Sequence, residues 1–434
     1  MTKLFASPRE RLLWWSVFAL GIGLSIIMAW RSQIGGDQRL MLNLGWQLVN
    51  AGEWLPYGMP TSAGGRSPGG LMGLVMAVPL WIWRDYRAPA LFTALVHAGA
   101  FLVLLHSLKD SLSRYGLWLL LLLVWLNPWR MYFSAHIWNS NFMFVAAVLH
   151  LASSQRMYAQ REAWNSCLHV LLIALAMQLH TSAAVLGVLS LLLFYKRMIK
   201  VHWGGFALGV ALSIAAYVPW VLSVSHDPTL APGEKGFFLR GLLYVFPLVR
   251  GILYWLKMSS LVFAGRMVEY DFTATFGASA NSILTPTGKA LELIAYLTLI
   301  PSAWLQWRFV RKMWPILRAN HDRALKQRSW LERYVALSLA AALFAFAISP
   351  TTVMFWQVFI SIPAATLVFI MAVEALAHTK LNTVADQWIK AWWVLTVLLL
   401  LLQATGSPQY HCGGREAGPP DAMMQALHVP AECY

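Results

Sequence analysis

Charge is what this sequence has least of. Of 434 residues only 12% are Asp, Glu, Lys or Arg, and the mean hydropathy is +0.57. A water-soluble domain carries about twice that share of charge, so that class is excluded. Acids are scarcer than bases, 18 against 33. The basic excess is scattered among apolar runs and no nucleic-acid module is visible, so it reads as orientation toward anionic lipid rather than nucleic acid. There is no Gly-rich phosphate loop, no GxGxxG between a strand and a helix, and no hydrolase triad, which argues against ATPase, nucleotide-cofactor and serine-hydrolase chemistry. No His/Asp/Glu spacing reads as a metal site. His169 and His180 are eleven residues apart, about 16 Å along a helix, too far to share an ion. With three cysteines there is no disulfide framework.

What the chain does have is hydrophobic length. Membrane-crossing helices need roughly 17 to 25 apolar residues. The expected spans are 12–30, 88–107, 116–131, 141–153, 165–179, 182–195, 205–222, 287–306, 335–349, 358–377 and 391–404. The first resembles a signal peptide, but its apolar run is too long and lacks a small-residue cleavage site, so it reads as a retained span. The 23 tryptophans and 14 tyrosines suit membrane–water boundaries. One stretch is ambiguous: PGGLMGLVMAVPLWIW, 68–83, would be either a span or a helix lying in the interface.

Charge separates the two. If 68–83 does not cross, the loops on the N-terminal side hold 20 of the 33 Lys and Arg, eight of them in 307–334. If it does cross, every later loop inverts and that basic run faces outward, against the positive-inside rule. The expectation is an all-α polytopic membrane protein of about eleven spans, N-terminus cytoplasmic and C-terminus outside, with juxtamembrane helices in the outer loops. Its parts are a transmembrane module 1–222 with a first outer loop 31–87, an outer interfacial loop 223–286, C-terminal spans 287–404 and a tail 405–434. Cys412 and Cys433 share that tail, where an oxidising compartment would permit a disulfide; two free thiols are the alternative. Cys167 reads as an inert helix residue.

Asp37 opens the first outer loop. A carboxylate there would orient and partly deprotonate an acceptor hydroxyl; the plain alternative is a solvated acid at a helix end. Gln178 and His180, in QLHTS at the outer end of span five, would contact sugar hydroxyls or phosphate, or serve as bundle contacts. In the second loop Arg240, Arg250, Lys257 and Arg266 alternate with aromatics. They would guide an anionic lipid headgroup, or simply rest an interfacial helix on lipid. Glu269, Tyr270 and Asp271 form a second acidic point, with acceptor binding or a solvated loop as the readings. Glu292 complements a helix start.

The order of these features resembles the GT-C membrane glycosyltransferases, in particular protein O-mannosyltransferases and the aminoarabinose transferase that modifies lipid A. The likeness runs from a basic N-terminus and one span to Asp37, then GEWLPYGMPTSAGGRSPGGLMGL and the outer NPWRMYFSAHIWNSNFMF. It covers roughly the first 200 residues, with a weaker echo in SPTTVMFWQVFISIPAA. The resemblance implies an outward-facing site fed by a polyprenyl-phosphate-linked sugar, with 68–83 as a juxtamembrane helix. Asp37 matches the family's first-loop acid, although Gln38 stands where many members have Glu. Arg66, in Arg66-Ser67-Pro68, matches a charged position suited to donor phosphate, or to interfacial anchoring. Asn139 and Asn141 stand where many relatives place an acid. Asn141 would hydrogen-bond sugar or acceptor but cannot act as a carboxylate, which leaves metal dependence open. The implied activity is transfer of a sugar from undecaprenyl phosphate to a cell-envelope glycan, lipid A or protein acceptor outside a bacterial inner membrane. A lipid or glycan transporter and an O-antigen ligase or polymerase are the alternatives.

Overall fold

The computed structural model describes residues 7–32, 34–61, 65–231, 245–262, 268–269, 271–318, 325–349, 352–376, 382–408 and 421–430. Arg240, Arg266, Tyr270, Cys412 and Cys433 lie outside these. Among the described residues the fold is helical, with two short antiparallel strand pairs: β1 (Tyr57–Pro60) with β2 (Arg66–Pro68), and β3 (Val268–Glu269) with β4 (Ser407–Pro408).

Helix α1 (Pro8–Trp30) is followed by the short α2 (Gly36–Trp46) and α3 (Leu71–Ile82), then α4 (Ala88–Leu108) and α5 (Arg114–Leu120). After α5 come α6 (Pro128–Ser134), α7 (Phe142–Ala159), α8 (Ala163–Leu179), α9 (Ala184–Tyr195) and α10 (Trp203–His226). The second half holds α11 (Val245–Met258), α12 (Thr273–Leu297), α13 (Leu299–Arg318), α14 (Gln327–Ala347), α15 (Phe355–Val358), α16 (Ile362–Leu376), α17 (Asn382–Thr405) and α18 (Asp421–Ala426). Seven of these stretches are long and apolar enough to cross a membrane, and several shorter apolar helices accompany them. Each of the eleven expected spans falls on helical chain, and the protein is a multi-pass membrane protein.

Two spans differ from expectation in instructive ways. The third does not run straight through 116–131. It passes from α5 into a π-turn at Leu121–Trp125 and stops at Asn127, whose side chain accepts from the Trp129 and Arg130 amides at 2.9 and 3.4 Å to start α6. Proline follows at the first helical position, where its missing N–H costs nothing. The eighth reaches back before 287: helical chain starts at Thr273, breaks at a kink at Gly277, whose φ of 81° and ψ of 169° are not helical, and resumes in residues that are not apolar.

Stacked aromatics lock the N-terminal half. Phe18 packs on Trp125 at 4.8 Å and Phe101 on Trp125 at 5.1 Å, while the Trp125 indole donates to the Phe18 carbonyl at 3.0 Å. In hydrocarbon this gain comes from close contact rather than from expelling water.

Polar contacts define two ends of the bundle. At one, Glu10 pairs with Arg114 at 2.5 Å. There too Glu374, buried, accepts from the Ser113 amide at 2.8 Å and pairs with Arg328 at 2.5 Å. At the other, Arg31 reaches the Thr405 carbonyl at 3.3 Å and Thr275 at 3.4 Å, and the Tyr86 amide donates to the Leu427 carbonyl at 2.9 Å.

The ambiguous stretch is resolved by this frame. α3 has 12 residues, about 18 Å of helix against about 30 Å of hydrocarbon. Its far end, Trp83, stacks on Trp30 at 5.9 Å, and Arg87 lies over the Trp30 ring at 4.2 Å. Just before its start, Gly69 lies against Gln178 at the end of α8. Loop 31–87 leaves and returns at one end of the bundle, and 68–83 does not cross.

Candidate functional site

Residues 36–83 form a two-helix platform. Gln38 accepts the Gly35 amide at 3.0 Å and so caps α2, which places Asp37 in its first turn with the side chain exposed. Unsatisfied amides at a helix start favour an anion there. α2 packs on α3 almost backbone to backbone: a Cβ on Gly45 would stand 2.6 Å from Met76 Cβ and 2.9 Å from its carbonyl carbon. Gly45 is therefore what lets the layer close.

The β1–β2 hairpin folds over this layer. The Trp54 indole donates to the Gly70 carbonyl at 3.1 Å. Gly69 has a φ of 90°, and a Cβ there would lie 2.3 Å from the Gln178 side chain. Both facts demand glycine. Gln178 is buried and donates to the Ala216 carbonyl at 3.3 Å. Arg66, half-buried, places its guanidinium 5.4 Å from the centre of the Tyr57 ring. The hairpin that carries Arg66 thus packs, through Gly69, on Gln178 at the end of α8. His180 caps the turn at Thr181–Ala183: its Nδ1 accepts the Ser182 amide at 3.2 Å, which puts the proton of the neutral ring on Nε2.

A second group gathers around α15. Asn139 accepts the Ser140 amide at 2.9 Å. Asn141 is fully buried; its Nδ2 donates to the His136 carbonyl, its own carbonyl accepts from His97 Nε2 at 2.8 Å, and its Oδ1 has no partner. Trp138 stacks near Trp356 at 5.3 Å. Arg250 donates to the Met354 sulfur at 2.9 Å. Lys257, two turns further along α11, faces the Tyr254 and Tyr296 rings at 5.6 and 5.9 Å. Burial lowers the pKa of its ammonium, and the Glu292 charge opposes that shift. The 181–183 turn packs on α15 as well, joining the two groups.

Asp271 accepts the Thr273 amide at 2.9 Å at the head of α12. Among the described residues no three His, Cys, Asp or Glu side chains cluster in a way that could hold a metal ion.

Sequence reasoning passed over Arg130. It is wholly buried, lies over the Trp125 ring at 3.8 Å and donates to the Trp125 carbonyl at 2.6 Å. The signal was present: an arginine inside an otherwise apolar span is costly enough to call for a reason.

No protein-family model and no curated protein sequence matches the chain. Its helical membrane fold nevertheless has a counterpart among solved structures. Among solved structures it is similar to ArnT from Cupriavidus metallidurans bound to undecaprenyl phosphate, with a TM-score of 0.55 at 13% sequence identity. The likeness covers 89% of this chain and 63% of that one, so the chain spans less than two thirds of that protein's length.

Proposed function

We propose that the protein is a membrane glycosyltransferase. It takes a sugar from a polyprenyl-phosphate carrier and transfers it to a hydroxyl on the outer side of a bacterial inner membrane. The observation that carries this reading is the fold likeness to a protein captured with undecaprenyl phosphate, over nearly the whole of this chain. The position of Asp37 on a loop that leaves and re-enters the same end of the bundle supports it.

Asp37 accepts the proton of the acceptor hydroxyl as its oxygen attacks the anomeric carbon. The bond from that carbon to the donor phosphate breaks with inversion, and the lipid phosphate leaves with the electron pair. Arg66 offers a guanidinium to the phosphate oxygens, which gain charge as the bond breaks. Arg250 and Lys257, with Arg240 and Arg266 of the same loop, hold the lipid headgroup. Gln178, His180, Asn139, Asn141 and Tyr270 contact the sugar or the acceptor. The acceptor is a cell-envelope glycan, lipid A or a protein such as pilin.

The test uses purified full-length protein, radiolabelled polyprenyl-monophosphate sugars, and membranes from a deletion strain as acceptor. Asp37→Asn is expected to lower transfer by at least about a hundredfold, the lower range for losing a positioned general base, with abundance unchanged. Near-normal transfer by that variant would remove Asp37 from the mechanism. Transfer from a diphosphate donor alone would replace the donor class.

A further inference from the structure

Helix α13 carries two unlike faces. Ser302, Leu305, Gln306, Phe309 and Met313 point into the bundle. Gln306 fixes that face, accepting from the Trp255 indole at 2.9 Å and donating to Ser259 at 2.8 Å and to the Ala365 carbonyl at 3.2 Å. The opposite face is fully outside. It carries Trp304, Trp307 and Trp314, 44%, 65% and 56% exposed, interleaved with Arg308, Arg311 and Lys312. Among the described residues Trp304, Trp307, Arg308, Arg311 and Lys312 line an open cleft of about 600 Å³.

Like charges three and four positions apart on a helix repel one another. Arg308, Arg311 and Lys312 stand at those spacings, so this face costs free energy unless an anion sits among them. Among the described residues Lys312 is partly compensated, by Glu332 at 3.1 Å, and Glu332 is shared with Arg328 at 3.7 Å. Among the described residues no carboxylate pairs with Arg308 or Arg311. Arg308 instead rests over the Trp304 ring at 4.8 Å. This orients the guanidinium and leaves its donors free.

The level of the cleft specifies the anion. α13 follows α12 in the helical range Thr273–Arg318, which contains an apolar window long enough to cross a membrane, and the cations lie toward the C-terminal end of α13. Tryptophans occupy the headgroup level of a bilayer, and cations just beyond them meet lipid phosphates. The cleft size lies in the range of small-ligand sites. We infer that this cleft binds the headgroup of an anionic phospholipid: Arg308 and Arg311 hold the phosphodiester and Trp304 and Trp307 bracket its glycerol backbone. It is separate from the Asp37 platform, since the basic end of α13 lies toward the Glu332 and Arg328 end of the bundle.

The experiment is a native mass-spectrometric titration of the full-length protein in neutral detergent, with phosphatidylglycerol or phosphatidylcholine. Wild type is expected to retain phosphatidylglycerol preferentially. The double variant Arg308→Gln/Arg311→Gln should bind it about thirtyfold more weakly, taking the usual contribution of one interfacial cation twice. Arg9→Gln/Arg11→Gln removes the same net charge from exposed α1 and should leave retention unchanged. Equal loss in both double variants, or equal retention of the two lipids by wild type, would overturn the site. Glycerol phosphate added in excess should not compete; full competition would make the ligand a free phosphate. As a check independent of any variant, a diazirine-tagged phosphatidylglycerol should crosslink wild type within 304–312. Crosslinks only elsewhere would reject the proposal.

Discussion

Arg130 sets two opposed energies against each other. Its guanidinium gains a stack on Trp125 and a charge-assisted hydrogen bond to the Trp125 carbonyl, together about 3 to 4 kcal/mol. Taking an ion fully out of water without a counter-charge costs several kcal/mol, and replacing such groups by apolar ones of similar volume is commonly neutral or stabilising. Arg130→Met should therefore leave detergent thermal stability unchanged or raise it, by about 1 to 2 kcal/mol. A clear loss of stability would mean that the stack and the carbonyl bond outweigh desolvation. If the residue is kept for the reaction proposed above, sugar transfer should fall in the same variant. Neighbouring His97 is fixed just as tightly: donating from Nε2 to the Asn141 carbonyl leaves its Nδ1 a bare acceptor. Neither role was legible from residue type alone, because each depends on a partner on another segment.

At the scale of elements, the close approach of α2 and α3 makes Gly45 decisive. Gly45→Leu forces the two helices apart against Met76 and should cost about 3 kcal/mol, the upper range for overpacking. Transfer activity should fall with it although Asp37 is untouched; a variant with full activity and normal stability would show that the platform need not be closed. Helix positions were largely readable from apolar length, and the flat placement of α3 from charge balance. The start of α12 was not, since no apolar run marks the exposed residues on either side of the Gly277 kink. Nor was the break at Asn127, where one capping side chain ends an apolar run that looked continuous. Of the candidate site, Asp37 was legible because a lone acid after a span is conspicuous. The packing of Gly69 on Gln178 was not, since it runs through a backbone with no side chain to signal it.

For the whole molecule, the two ends of the bundle make a prediction about sidedness. Reporter fusions at residue 320 should be active only in the cytoplasm, and fusions at residues 63 and 234 only outside. A reporter at 63 scoring with the one at 320 would contradict the path of loop 31–87 described here. Helical connectivity sets only that the end of α1 and the end of α10 share one end of the bundle; the assignment of that end to the outside rests on the basic residues of 307–334.

The Tyr86–Leu427 hydrogen bond has a consequence for biosynthesis. Met423, Met424 and Leu427 are buried, and His428 stands 3.9 Å from Asp85, itself paired with Arg87 at 2.6 Å. A segment translated early is thus completed by one translated some 340 residues later. Until the ribosome has delivered residue 427, the Trp83–Arg87 corner lacks its cover. A nascent chain already threaded through the bilayer is still an unfinished fold.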